Sequence, residues 1–287
     1  MSMRTMQVFA SISGRLRRIL PISDRLWTKF DLLRTLVRRD LEARYKGSVL
    51  GNLWSLVNPL SQLLIYTYVF SVVLKVKLSI KGLPANESVS FGLWLFAGLL
   101  PWIAFSTGLI QSAGSVISQP NLVKKVVFPL SLLPLVPIFS GFIESSFGLI
   151  MLIFFVALSS GTLHTTLALL PLVWIPQLLL TAGFGYLAAV LTVFLRDIPQ
   201  TLNVILNIWF YVTPIVYPIT SIPESWRNWV LWLNPLAAIV EIYRDFVLVG
   251  EVKHWGELGV AFTISIIIFF VGILTYRKLR PGFADVL

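Results

Sequence analysis

The sequence contains no cysteine and only two histidines, His164 and His254, among 287 residues. That excludes disulfides, thiolate metal sites and a cysteine nucleophile, and it leaves too few imidazoles for a zinc or di-iron centre. Charge is also scarce: 13% of residues are charged, against about 25% in soluble globular domains. No G-x-x-x-x-G-K-[ST] loop is present to cradle a nucleotide's phosphates, because Tyr45-Lys46-Gly47-Ser48 lacks the upstream glycine framework. Residues 1–30 hold no continuous apolar stretch ending in a small-residue cleavage site, so no signal peptide is expected. No internal repeat is clear enough to propose inverted halves, and the longest polar region, residues 1–52, is too short for a soluble enzymatic domain.

What fills the chain instead is apolar bulk: 56% hydrophobic residues, with 20 Phe and 10 Trp, and a mean hydropathy of +0.83. These values define an all-α polytopic membrane protein. Apolar stretches able to cross about 30 Å of hydrocarbon fall at 53–74, 91–117, 131–158, 165–195, 200–220 and 257–276. A seventh stretch, 226–249, carries Trp226, Trp229 and Trp232 at i,i+3 spacing, then an Asn234-Pro235 break, then Glu241, Arg244 and Asp245. Three charges in so short a window are costly in lipid, and two termini on the same side require an even number of crossings. Six spans plus a re-entrant hairpin over 222–249, with its tip or corner at Asn234-Pro235, satisfy both conditions.

The net charge of +10 resembles a nucleic-acid signature until its placement is read. Eleven of the 23 basic residues precede Leu53, and Arg277, Lys278 and Arg280 follow the last apolar stretch. In the six-span arrangement the inside segments carry 17 basic residues against 6 acidic ones, and the outside segments show no comparable excess. The charge therefore marks topology, with residues 1–52 and 277–287 both cytoplasmic, and no nucleic-acid partner is expected.

Between Phe30 and Gly47 the apolar residues recur largely every three or four positions, with Arg34, Arg38, Arg39, Glu42 and Lys46 between them. This pattern predicts an amphipathic helix over 30–47 in the cytoplasmic interface, with Asp40 placed to pair with Arg44 at i,i+4. Gly47 to Gly51 forms an elbow, and the chain enters the bilayer at Trp54. The helix either anchors the protein or also collars a path and meets a polar, lipid-headgroup-like substrate.

Arg39-Asp40, Arg44-Tyr45-Lys46, Leu50-Gly51, Trp54 and Pro59, in that order, resemble the entrance of the permease subunit of type-2 ATP-binding-cassette exporters. The nearest branch exports lipid-linked polysaccharides such as O antigen and capsule, or teichoic acids. "NLVKKVVFPLSLLPL", "RDIPQ", "YVTPIVYP", "WLNPLAAIVEIYRD" and "FADVL" continue the resemblance along almost the whole chain. It implies a homodimer in the bacterial inner membrane, with two copies of a separate ATPase that binds ATP and Mg, and an undecaprenyl-linked polysaccharide as substrate. No catalytic, cofactor-binding or metal site is expected in this chain itself. The same resemblance makes 30–47 a gate helix, with Arg38, Arg39, Arg44, Tyr45 and Lys46 at the mouth. It makes 119–129, with Lys124 and Lys125, a coupling region for the ATPase, joined by Arg196-Asp197. It also makes 222–249 the outer gate. Alternatives in the same superfamily are a teichoic acid permease or a drug or small-lipid efflux permease; a proton-coupled secondary transporter is the remote one.

A sugar polymer needs a wide path with rigid platforms and weak, repeated contacts. Trp54, Asn58, Ser61, Gln62, Tyr66 and Phe70 in the first span, and Trp209, Tyr211 and Tyr217 in the fifth, are the candidate lining. Glu144 is the one acid in the interior of an uninterrupted span and must face protein or a water-filled path.

Overall fold

The computed structural model describes residues 24–75, 91–125, 128–161 and 163–287. The expectations for residues 1–23 and for the first outer loop, 76–90, lie outside the described residues. The described chain is helical. α1 (Asp24–Arg44) precedes the elbow, and α2 (Trp54–Tyr66) continues into a widened helical turn, Thr67–Val73. α3 (Phe91–Gly114) leads to the short α4 (Pro120–Lys125). A tight turn, Leu130–Leu132, then precedes α5 (Leu135–Ser160), and another, Thr165–Leu169, precedes α6 (Leu170–Phe194). α7 is Ile198–Val212, α8 Glu224–Leu233, α9 Pro235–Arg244, α10 Trp255–Leu279 and α11 Phe283–Val286.

Five of these stretches are long and apolar enough to cross a membrane: Trp54–Val73, Phe91–Gly114, Leu130–Ser159, Thr165–Phe194 and Trp255–Val286. The stretch expected as the fifth span, 200–220, is different. Its helix, α7, has 15 residues, about 22 Å at 1.5 Å per residue, and falls short of the hydrocarbon thickness. The stop comes from sequence: Thr213 precedes Pro214, which disfavours the helical region, and Thr213 is extended at φ −87°, ψ 132°. The non-helical segment after it is covered by protein, with Thr213 and Ile215 at 0% exposure, the condition for irregular backbone at membrane depth.

Successive spans run antiparallel, so α1, α4, the 195–197 turn and residues 277–287 share one end of the bundle, here termed the basic end. The core is organised around α3, whose Leu95, Phe96, Ala97 and Phe105 are fully buried. α6 and α10 pack so closely that a Cβ on Gly272 would collide with the carbonyl of Gly183, the small-residue contact that membrane helices use. The hairpin after α7 breaks at Asn234, whose side chain caps α9 by accepting from the Leu236 amide at 3.2 Å. Its two arms differ. α8 is largely exposed, including Trp226 and Trp229, whereas every residue of α9 is buried against the core.

Candidate functional site

At the basic end the elbow has the geometry its glycines require. Gly47 (φ 84°) and Gly51 (φ 49°) are both left-handed, and open space surrounds each, so backbone conformation rather than crowding selects glycine. Trp54 Nε1 donates to Ser48 Oγ at 2.8 Å and ties the head of α2 to that elbow.

The end of α1 is clipped into the bundle. Arg44 donates from Nε and Nη2 to Asp40 Oδ2 at 3.0 and 2.9 Å, from Nη1 to Glu144 Oε2 at 2.7 Å, and from Nη2 to Gln111 Oε1 at 2.5 Å. The hydroxyl of Tyr45 donates to the other Glu144 oxygen at 3.0 Å. Glu144 thus accepts on both oxygens, which answers how an acid persists within an apolar helix: its partners come from α1. Burial, aided by the Glu144 charge, pushes the Tyr45 hydroxyl above its ordinary pKa, so it remains a donor. Glu144 lies nine residues into α5, about 14 Å along its axis. The end of α1 therefore packs against the side of α5 rather than at its start. The i,i+4 pairing of Asp40 with Arg44 is present, and the links to Glu144 and Gln111 have no signature in local spacing.

Beside this clip opens a cavity of about 1000 Å3, lined by Arg39, Asp40, Glu42, Arg44, Lys46 and Gln111 together with parts of α3, α4 and α5. Arg38 does not line it and pairs at 2.7 Å with Glu42 at its edge, both side chains about half exposed. Lys124 is exposed on α4. The side chain of Lys125 and residues 126–127 lie outside the described residues. Arg196 and Asp197 are both exposed between α6 and α7.

The lining candidates divide. On α2, Asn58, Ser61 and Gln62 share an exposed stripe, whereas Tyr66 and Phe70 are half-buried and pack on the core, Phe70 against Phe91 at 5.0 Å. Trp54 is half-buried at the elbow. On α7, Tyr211 is 67% exposed. Trp209 instead faces inward, its ring 5.3 Å from Phe105 and its Nε1 donating to Asn234 Oδ1 at 3.0 Å. Tyr217 is half-buried and donates to the Tyr211 carbonyl at 2.7 Å. The structure adds Gln200, Asn203 and Asn207, which with Tyr211 form a second exposed stripe on α7. The 3- and 4-residue spacing of these polar residues was the available signal.

At the far end, Arg244 is 2% exposed and fully engaged. It donates to the carbonyls of Pro214 and Ile215, each at 2.7 Å, and to Glu241 Oε1 at 2.7 Å, with its guanidinium carbon 3.5 Å from the centre of the Trp94 ring. A buried cation is tolerated because the unwound carbonyls after α7 and an acid surround it. Gly98 makes the room: a Cβ there would sit 2.5 Å from Arg244 Nη2. Glu241 and Arg244 pair at i,i+3 as the sequence allows, but Asp245 turns elsewhere. It accepts from the Lys253 amide at 2.9 Å and meets His254 Nδ1 at 2.9 Å. That bond is the main reason the His254 pKa is raised above its ordinary 6.5. Asn234 completes the joint, its Nδ2 donating to Thr213 Oγ1 at 2.9 Å. The hairpin and the end of α7 are thus one hydrogen-bonded body. Of the remaining hairpin residues, Trp226 and Trp229 are exposed and Trp232 is 43% exposed.

A short α7, the two-helix hairpin after it, α1 before the first span and the short α4 between the second and third long spans make up a multi-pass membrane domain. Residues 31–248 match the family described as ABC-2 type transporter, and the chain belongs to that family. It is 31% identical over 260 residues to an O-antigen export system permease protein RfbA of Klebsiella pneumoniae, covering 90% of this chain and 95% of that protein. It is 31% identical over 257 residues to the protein of the same name from Myxococcus xanthus, covering 88% and 94%. It is also 25% identical over 244 residues to the polysialic acid transport protein KpsM of Escherichia coli, covering 84% and 91%.

Proposed function

We propose that this chain is the membrane subunit of an ATP-driven exporter that moves a lipid-linked polysaccharide of O-antigen or capsule type across the bacterial inner membrane. Two copies surround the path, and a separate ATPase subunit, also in two copies, binds ATP and Mg and supplies the work. Both termini are cytoplasmic, with the basic end inward and the hairpin outward.

The observation that carries this reading is the pair of polar stripes, Asn58-Ser61-Gln62 on α2 and Gln200-Asn203-Asn207-Tyr211 on α7, exposed on helices that are otherwise apolar. Polar side chains on a span are costly against lipid, so such faces turn toward a partner or a water-filled path. Amides, a hydroxyl and a tyrosine ring give weak, repeatable contacts to sugars, which suits a polymer in transit. In this scheme the cavity beside Arg44 receives the lipid-linked end, the clip to Glu144 holds the entrance helix in its resting position, and the Arg244 joint moves the outer gate as a unit. The relatives' names as O-antigen and polysialic acid transport proteins support the same substrate class.

The test is reconstitution. The chain, purified with an ATP-binding-cassette ATPase encoded beside glycosyltransferases, is placed in proteoliposomes carrying undecaprenyl-linked polymer. ATP-dependent movement of polymer is the expected result. Proton-driven transport by the chain alone contradicts the reading.

A further inference from the structure

Gln177 of α6 is a primary amide at 0% exposure in an apolar core, a costly placement unless it is hydrogen-bonded. Both ends of the amide are used. Nε2 donates to the Pro101 carbonyl of α3 at 2.8 Å, and Oε1 accepts from the Tyr243 hydroxyl of α9 at 3.1 Å. Because a carbonyl only accepts, one orientation of the amide satisfies both partners. Tyr243 is itself 4% exposed, and the void bordered by Ala104, Ser145, Trp174 and Tyr243 holds about 10 Å3, too little for a displaced side chain. Three helices are thus tied at one amide.

The acceptor lies at the weak point of α3. Pro101 has no amide to offer the Ala97 carbonyl, so the helix lacks one backbone bond there. The two halves of α3 carry different contacts. Before Pro101, Trp94 lies under the Arg244 guanidinium and Gly98 makes room for it. After Pro101, ten residues on and about 15 Å along the axis, Gln111 accepts from Arg44. The helix that touches both clusters is therefore softened between them.

Two side chains grip this soft point. Gln177 holds the Pro101 carbonyl, and Ser145 of α5 donates to the preceding Leu100 carbonyl at 3.1 Å. Their neighbours in sequence belong to the two ends of the bundle. Ser145 directly follows Glu144, the acceptor of Arg44 and Tyr45. Tyr243 directly precedes Arg244, the donor to the carbonyls after α7. Two consecutive carbonyls of α3 thus stand between the clip at the basic end and the joint at the far end.

We infer that Gln177 is the positioning residue that couples the clip to the hairpin. Bonded to Pro101 and Tyr243, it keeps the two halves of α3 in one arrangement, so release of the clip loosens the hairpin and release of the hairpin loosens the clip, a reciprocity that any such coupling requires. Without it, Pro101 lets each half of α3 move alone. The coupling is a property of the folded chain and does not depend on which substrate is carried.

The test is a mutant cycle read by amide hydrogen exchange on the full chain in lipid nanodiscs. Glu144→Gln weakens the clip; it is expected to raise exchange over 30–50 and also over the hairpin, 222–249, the latter by about fivefold, within the range of couplings between distant sites. Gln177→Met fills similar space without an amide. In that background Glu144→Gln is expected to loosen 30–50 as before and to leave the hairpin within about twofold, the scatter of independent sites. Tyr243→Phe keeps the ring and the Gln177–Pro101 bond, is expected to give an intermediate response, and carries the cycle should Gln177→Met not assemble. Thr192→Val is the control on the same helix, since the Thr192 hydroxyl bonds within α6 at 2.7 Å; it is expected to preserve the full response. A general loss of stability raises exchange in every background and leaves these ratios unchanged. A hairpin that does not respond to Glu144→Gln in the parent, or that responds equally in the parent, Gln177→Met and Tyr243→Phe backgrounds, overturns the inference and leaves the proposed function standing.

Discussion

Arg44 and Glu144, a hundred residues apart in sequence, are joined at 2.7 Å across the junction between the interface helix and the third span. The pair is partly shielded, with side chains 17% and 21% exposed. Any outward swing of α1 must separate it, together with the bonds from Tyr45 and to Gln111. The C-terminal end of α1 is therefore latched to the bundle.

Glu144→Gln retains the shape of the side chain and removes its charge. A hydrogen bond to a charged group contributes about 1.5–3 kcal/mol, so local opening of residues 30–50 is expected to become at least tenfold more frequent. Amide hydrogen exchange over that segment measures it. Arg44→Glu and Glu144→Arg are each expected to impair export, and their combination is expected to recover part of the loss. A double variant no better than the product of the singles would show that the two residues act separately.

Gly98→Ala drives a methyl group into the guanidinium of Arg244. Overpacking of this kind costs about 1–3 kcal/mol, and Arg244 is held in place by the Pro214 and Ile215 carbonyls and by Glu241. Removing the cation by Arg244→Ala leaves Glu241 and two unwound carbonyls unpaired at a cost of about 3–5 kcal/mol. Both variants are expected to lower the thermal unfolding temperature in detergent, with Arg244→Ala the more severe.

The Asp245–His254 pair is expected to make the hairpin sensitive to pH. The folded pKa of His254 is raised above 6.5, chiefly by its bond to Asp245 and by the nearby Glu241 and Glu257 charges. Lys253 and Glu251, paired at 3.6 Å, lie in the same loop, and Arg244 directly precedes Asp245. A raised histidine pKa contributes stability that is complete below the unfolded value and is lost as pH rises through the folded one. The hairpin is therefore expected to be more protected from hydrogen exchange at pH 6 than at pH 8. His254→Gln is expected to flatten that dependence, and a profile identical to the parent's would assign it to another group.

Much of the architecture was legible in the sequence because membrane spans and their charge bias are read over long windows. The five long spans, the hairpin break at Asn234-Pro235 and the left-handed glycines of the elbow all follow from local pattern. The early end of α7 was written in Thr213-Pro214, but apolar residues on both sides of that pair disguise it as one span. The clip was half visible. Asp40 and Arg44 share a helix face, whereas Glu144 and Gln111 join them only through tertiary packing. Trp209 shows the reverse limit, since an aromatic residue on a span reads alike whether it faces a path or the core. Asp245 likewise found its partner nine residues away, across a turn that helical spacing does not describe.

On the function proposed above, the polar stripes of α2 and α7 face the route taken by the polymer. The most direct measurement uses single cysteines at Gln62, Asn207 and, as a lipid-facing control, Ile150, which is 60% exposed on α5. Each is combined with the ATPase, treated with a bulky water-soluble maleimide, and assayed for export in proteoliposomes. Labelling at Gln62→Cys and Asn207→Cys with loss of export, and export untouched by treatment of Ile150→Cys, is the outcome expected of a path between these helices. Efficient labelling at positions 62 and 207 that leaves export intact would contradict it.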